Sequence, residues 1–225
     1  MKLIRRLITL TLIVGAFFAG GTVYKAMDLY NEVLEEMPIS DKVAEIRENE
    51  HYTAYSQLPE TYVNAVIAVE DRRFEYHRGM DLISLGRAVV ANLKGGELTQ
   101  GGSTITQQLA RNMYFEQDKE FSRKIAEMLI ALEIEKEYDK EEIFELYANV
   151  IYFGSGYYGI YDASQGYFDK PPVRLDDYEC TMLAGIPQAP SVYSLDENPD
   201  LAEERRQQVI TCMIEEEYIG VGEIM

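Results

Sequence analysis

The sequence has only two cysteines and two histidines in 225 residues. Cys180 and Cys212 form no C-x-x-C pair, and each sits in an apolar, helical-looking run. This argues against a cysteine-based metal or redox motif. Two buried small hydrophobes are the expectation, and no disulfide is required. His51 and His77 lack metal-ligand spacing. Basic residues are also scarce, 21 against 39 acidic ones, for a formal charge of −18. Such a chain is no general nucleic-acid binder. Stretches that read as strands are few, and there is no internal repeat. No Gly-Lys-Ser/Thr closes a Walker phosphate loop.

What is present is a 47% hydrophobic chain, neither disordered nor fibrous. Lys2, Arg5 and Arg6 precede an uncharged run of 18 residues, Leu7 to Tyr24. At about 1.5 Å per residue this nearly spans a bilayer core of about 30 Å. The basic flank favours a cytoplasmic N-terminus and a body outside. A cleaved signal peptide is the competing reading, although no clean A-x-A site follows. Residues 1–27 are therefore read as stub and transmembrane anchor, 28–57 as a stalk interrupted at Pro38, and 58–225 as one domain.

The charge is unevenly spread. Residues 1–69 carry 6 basic and 9 acidic side chains, net −3; residues 70–127 carry 9 and 9, net 0; residues 128–225 carry 6 and 21, net −15. Basic side chains thus gather between Glu70 and Glu127, where an anionic ligand would be held; a mixed-charge solvated surface is the alternative. Glu70 ends a helix that runs from Glu60 with Val63, Ile67 and Ala68 at helical spacing. Burial beside Phe74 would raise its pKa toward base strength, and Arg72 and Arg73 would lower it. Ser103 or Thr104 is placed to cap the next helix, on which Thr104, Gln108 and Arg111 share a face. A helix start behind Gly101 and Gly102 suits an anion, with Arg111 adding charge. Arg123 and Lys124 fall at ion-pair spacing from Glu127, either as ordinary helix pairs or facing a cleft. Residues 81–96 form an amphipathic basic stretch, fit for a lipid surface or for the core. Tyr157, Tyr158 and Tyr161 alternate with glycines and could stack on a sugar chain.

Five segments in order resemble the peptidoglycan glycosyltransferases, the family-51 transglycosylases. They are EDRRFEYHRGMD (Glu70–Asp81), GGSTITQQLARN (Gly101–Asn112), RKIAE (Arg123–Glu127), KEEIFELYANVIYFGSGYYGI (Lys140–Ile160) and ASQGYFDKPPVRLDDYECTMLAGIPQAPSVYS (Ala163–Ser194). Arg111 stands where the family usually has Lys, and Cys180 replaces a usual Ala. Ala148 and Val150 stand where many relatives read L-N-x-I around Asn149.

The resemblance implies a mainly α, lysozyme-like, two-lobed domain of the monofunctional biosynthetic type. It implies polymerisation of lipid II at the outer face of the cell membrane, with Glu70 as general base and Glu127 on the leaving-group side. Asp71, Arg72, Phe74, His77, Gly102, Ser103, Thr104, Gln107, Gln108, Arg111, Asn112, Arg123 and Lys124 would bind substrate. A divalent cation, Mg²⁺ or Mn²⁺, would sit at Glu127. Membrane lipid and penicillin-binding transpeptidases are the further implied partners. A wall-cleaving lysozyme-like enzyme and a silent wall-binding protein are the alternatives.

Overall fold

The computed structural model describes residues 2–87, 102–115 and 121–220, with the side chains of residues 2–8, 10, 12–14 and 16 left aside. The architecture is helical. The helices are α1 (Lys2–Glu36), α2 (Ile39–Arg47), α3 (Glu60–Glu70), α4 (Ile105–Tyr114), α5 (Phe121–Glu137), α6 (Lys140–Val150), α7 (Gly159–Phe168), α8 (Asp177–Gly185), α9 (Pro190–Tyr193) and α10 (Pro199–Glu215). Among the described residues there is no strand, only isolated bridges between Arg78 and Met80 and between Tyr152 and Tyr158.

Local chemistry sets the helix starts. Asp139 opens α6 and Asp176 opens α8, each with a capping box. The Asp carboxylate accepts the N–H of Glu142 or Glu179, whose carboxylate accepts the N–H of the Asp in return. Thr104 caps α4 by accepting the Gln107 N–H at 3.1 Å. The Glu135 carboxylate on α5 accepts hydrogen bonds from Thr106 at 2.6 Å and Lys140 at 2.8 Å, pinning α4 and α6 to α5.

Two packing groups meet at the site. In one, α3, α8 and α10 contact each other; in the other, α4 lies on α5 and α6, and α1 runs along α5. A shared core of Tyr62, Val66, Phe74, Leu109, Phe144 and Tyr147 joins them. The helix break expected at Pro38 falls between α1 and α2. Residues 28–57 are not a free stalk, since Ile39 and Val43 are buried in the core. The segment after α2 is latched to α6 by Tyr52 and the Tyr55 N–H on Glu145, and by the Thr53 N–H on Asn149. The run 7–24 lies within α1, and among the described residues no helix is long and apolar enough to cross a membrane. Of the amphipathic stretch 81–96, residues 82–87 are helical and residues 88–96 lie outside the described part. Leu82 and Ile83 are exposed, which is opposite to a core helix.

Candidate active site

Glu70 occupies the last turn of α3, where its side chain is 12% exposed. The Gln108 amide donates to its Oε2 at 2.7 Å, and an Arg205 nitrogen lies 3.7 Å from Oε1. Burial raises the Glu70 carboxyl above its ordinary value; Gln108, Arg205 and Arg111 offset only part of this, and Asp71 adds to it. Burial wins, and the expected opposing charges, Arg72 and Arg73, instead pair with Glu215, Glu216 and Asp81. A carboxylate with raised pKa in a cleft is a candidate base.

Around it lies a hollow of about 240 Å³, lined also by Asp71, Arg72, Asp81, Gly102, Ser103, Thr104, Gln188 and Arg205. A second hollow of about 280 Å³ is lined by Arg111, Asn112, Arg123, Tyr152 and Gln188. Gln188 lines both, so the two share a wall. Lys124 stitches the far wall, donating to Ser103 Oγ at 2.8 Å and to Glu127 Oε2 at 3.0 Å. Arg123 Nε lies 3.1 Å from Glu127 Oε1. The two glutamates are therefore linked through one polar chain: Glu70, the hollow, Ser103, Lys124, Glu127.

Glu127 itself is 1% exposed. Its ion pairs with Arg123 and Lys124 have the ordinary helix spacing; of the three, only Arg123 lines a hollow, the second one. Among the described residues no group of three acidic, histidine or cysteine side chains could hold a metal. Glu127 is one carboxylate between two cations, and these residues alone do not fit a resident divalent ion.

Several expected substrate ligands are engaged with other protein groups. Phe74 is 1% exposed and packs edge-on to Phe144, with the Lys140 ammonium 4.5 Å from its ring centre. His77 is buried with Nε2 at 2.8 Å from Asp71. Asp71 also accepts the Ile105 N–H at 3.0 Å, fixing the start of α4 against α3. Gln107 is buried, with its side-chain oxygen unpartnered. Asn112 donates to the Gln108 carbonyl at 2.7 Å. Arg72 pairs with Glu215 at 3.1 Å and Glu216 at 3.2 Å on α10. Cys180 is buried, and burial pushes its thiol up to about 12. Cys212 departs from the expected full burial and lines the first hollow. Tyr158 is exposed, with its ring tilted over Tyr152 at 4.7 Å, whereas Tyr157 packs edge-on to Tyr167.

Sequence reasoning missed Arg205, which lies far along the chain. The available signal was an Arg pair, Arg205-Arg206, in an otherwise acidic helix.

Comparison with known proteins identifies the family. The family described as Transglycosylase matches residues 38–214, beginning before the boundary expected at residue 58. A Cupriavidus necator protein with a provisional transglycosylase name is 41% identical over 218 residues, 97% of this chain and 91% of that protein. Penicillin-binding protein 1A of Aquifex aeolicus is 44% identical over 168 residues, 75% of this chain and 23% of its own length. Penicillin-binding protein 1F of Bacillus subtilis is 44% identical over 184 residues, 81% of this chain and 26% of its own. The chain thus spans about a quarter of these two relatives. It belongs to the transglycosylase family and is a peptidoglycan glycosyltransferase.

Proposed function

We propose that the protein polymerises lipid II, moving the growing glycan from its lipid pyrophosphate to the 4-hydroxyl of an incoming lipid II. Glu70 takes the hydroxyl proton as that oxygen bonds to C1 of the donor. The bond from C1 to the pyrophosphate oxygen breaks, and the lipid pyrophosphate leaves with the electron pair. An α-linked donor gives a β-1,4 product, so the carbon inverts. Arg111, Arg123 and Lys124 neutralise the departing phosphates, and Glu127 holds the latter two in place. Thr104, Gln108 and Asn112 orient lipid phosphate and sugar, with Gly102 and Ser103 on the wall between the glutamates.

The observation that carries this reading is the desolvated Glu70 in a hollow that shares Gln188 with a second, cation-lined one. Simple hydrolysis releases no pyrophosphate for Arg111 and Arg123 to neutralise. The reading also places residues 1–27 as a single-pass anchor with the N-terminus inside and the catalytic domain on the outer face. The exposed Tyr76, Leu82, Ile83 and Phe121 would then meet membrane lipid. Penicillin-binding transpeptidases are the expected protein partners. Incubation with lipid II and, separately, with finished peptidoglycan tests the reaction class. Growth of lipid-linked chains, blocked by a moenomycin-type inhibitor, is expected. Shortening of finished strands would indicate a wall-cleaving enzyme, and inertness toward both a binding protein.

A further inference from the structure

Helix α10 is acidic in its first turn, yet it buries an arginine: Arg205 is 7% exposed. Its place is prepared. Gly185 on α8 has no side chain, and a Cβ there would meet Arg205 Cγ at 2.9 Å and Val209 Cγ2 at 3.4 Å. Arg205 Nε donates to the Gly185 carbonyl at 3.4 Å and Nη1 to Gln208 Oε1 at 2.9 Å. The guanidinium carbon lies 6.0 Å from the Tyr193 ring centre. These contacts leave Nη2 aimed at Glu70, 3.7 Å from Oε1.

That separation is longer than a charge-assisted hydrogen bond of about 2.7–2.9 Å. Glu70 therefore has two unlike supports. Gln108 binds Oε2 directly, and Arg205 faces Oε1 without capping it. We infer that Arg205 is a positioning residue for Glu70, fixing the carboxylate from α10 while leaving Oε1 open to take the proton of the attacking hydroxyl. The inference rests on the reading of Glu70 as base. In the step, the hydroxyl O–H bond breaks, its proton goes to Oε1, and its electron pair forms the new bond to C1.

The guanidinium also favours the ionised form of a carboxylate that burial disfavours. The other charged or titratable groups around Glu70 are Asp71 beside it, Arg111 on α4, and the buried hydroxyls of Tyr62 on α3 and Tyr147 on α6. Asp71 opposes ionisation, and Arg111 supports it together with Arg205. Removal of Arg205 thus shifts the balance toward the protonated, inactive base.

The test is the pH profile of kcat/KM for lipid II polymerisation by the full chain, whose acid limb reports the base in the free enzyme. For Arg205→Met the limb is expected to move upward by about one pH unit or more. That is a loss of about tenfold on the acid side, recovering as pH rises. Arg205→Lys, which keeps the charge, is expected to return the limb toward its original position. Gln208→Ala releases one anchor of the guanidinium at an exposed position, and a shift in the same direction by about twofold in rate is expected. An Arg205→Met protein that is folded by circular dichroism but loses the same fraction of activity at every pH overturns the inference. If Arg205→Met does not fold, an unmoved limb in Gln208→Ala overturns it. Failure of the underlying reading has a different signature: Glu70→Gln would then turn over at the wild-type rate.

Discussion

Glu70 is where residue-scale physics and chemistry conflict. A carboxylate surrounded by protein is expensive to ionise, and the same expense makes it a stronger base. Replacement by Gln keeps the shape and removes the base, so polymerisation should fall by about two to four orders of magnitude. The variant should also carry a stability signature. Because its pKa is raised by folding, the folded chain holds the Glu70 proton more tightly than the unfolded one. The group therefore lowers stability as pH climbs from the ordinary glutamate value through the raised one. Gln cannot ionise and escapes this loss. The Tm of Glu70→Gln relative to the parent should accordingly be more favourable at about pH 8 than at about pH 4, as calorimetry would show. Arg111 acts differently, by binding. Arg111→Ala should raise the apparent KM for the lipid-linked donor more than it lowers turnover at saturation, and an unchanged KM would refute that role. Its guanidinium in place of the family's usual ammonium offers a flat fork to phosphate oxygens.

At the scale of elements, the site depends on how the corner at 77–81 seats α4. Thr104 Oγ donates to the Gly79 carbonyl at 2.7 Å while accepting the Gln107 N–H. Thr104→Ala loses both bonds and should reduce stability by about 1–2 kcal/mol, a Tm drop of about 2–8 °C for a domain of this size. Gly79 is more tightly constrained. Its φ is +76°, and a Cβ would lie 2.8 Å from the Ala131 carbonyl oxygen on α5. Gly79→Ala should therefore destabilise by about 2 kcal/mol or more in a denaturant titration. Much of this was legible in advance. The cap at Thr104, the break at Pro38, Glu70 at a helix end and the Arg123–Lys124–Glu127 spacing are local patterns, and local patterns survive folding. What stayed hidden was long-range. Nothing in a chain read in order says that Phe74 faces Phe144, that His77 turns inward to Asp71, or that α10 returns an arginine to α3. The identity of a side chain does not show whether it will line a cleft or stand behind one.

The whole molecule combines a cation-lined cleft with an acidic body, and both substrates of the proposed reaction are lipid-bound. Helix α1 runs from the apolar N-terminal segment onto α5, the helix that carries Glu127. Deletion of residues 1–27 should abolish sedimentation with vesicles of bacterial lipid. It should leave polymerisation of detergent-dispersed lipid II within about tenfold of the parent, since the catalytic groups lie on later helices. The most direct measurement is a crystal structure of Glu70→Gln with lipid II bound. The account expects an acceptor 4-hydroxyl about 2.6–3.2 Å from the residue-70 side chain and the donor pyrophosphate against Arg111, Arg123 and Lys124. Lipid II bound with its reacting carbon and phosphates outside these two hollows would contradict it.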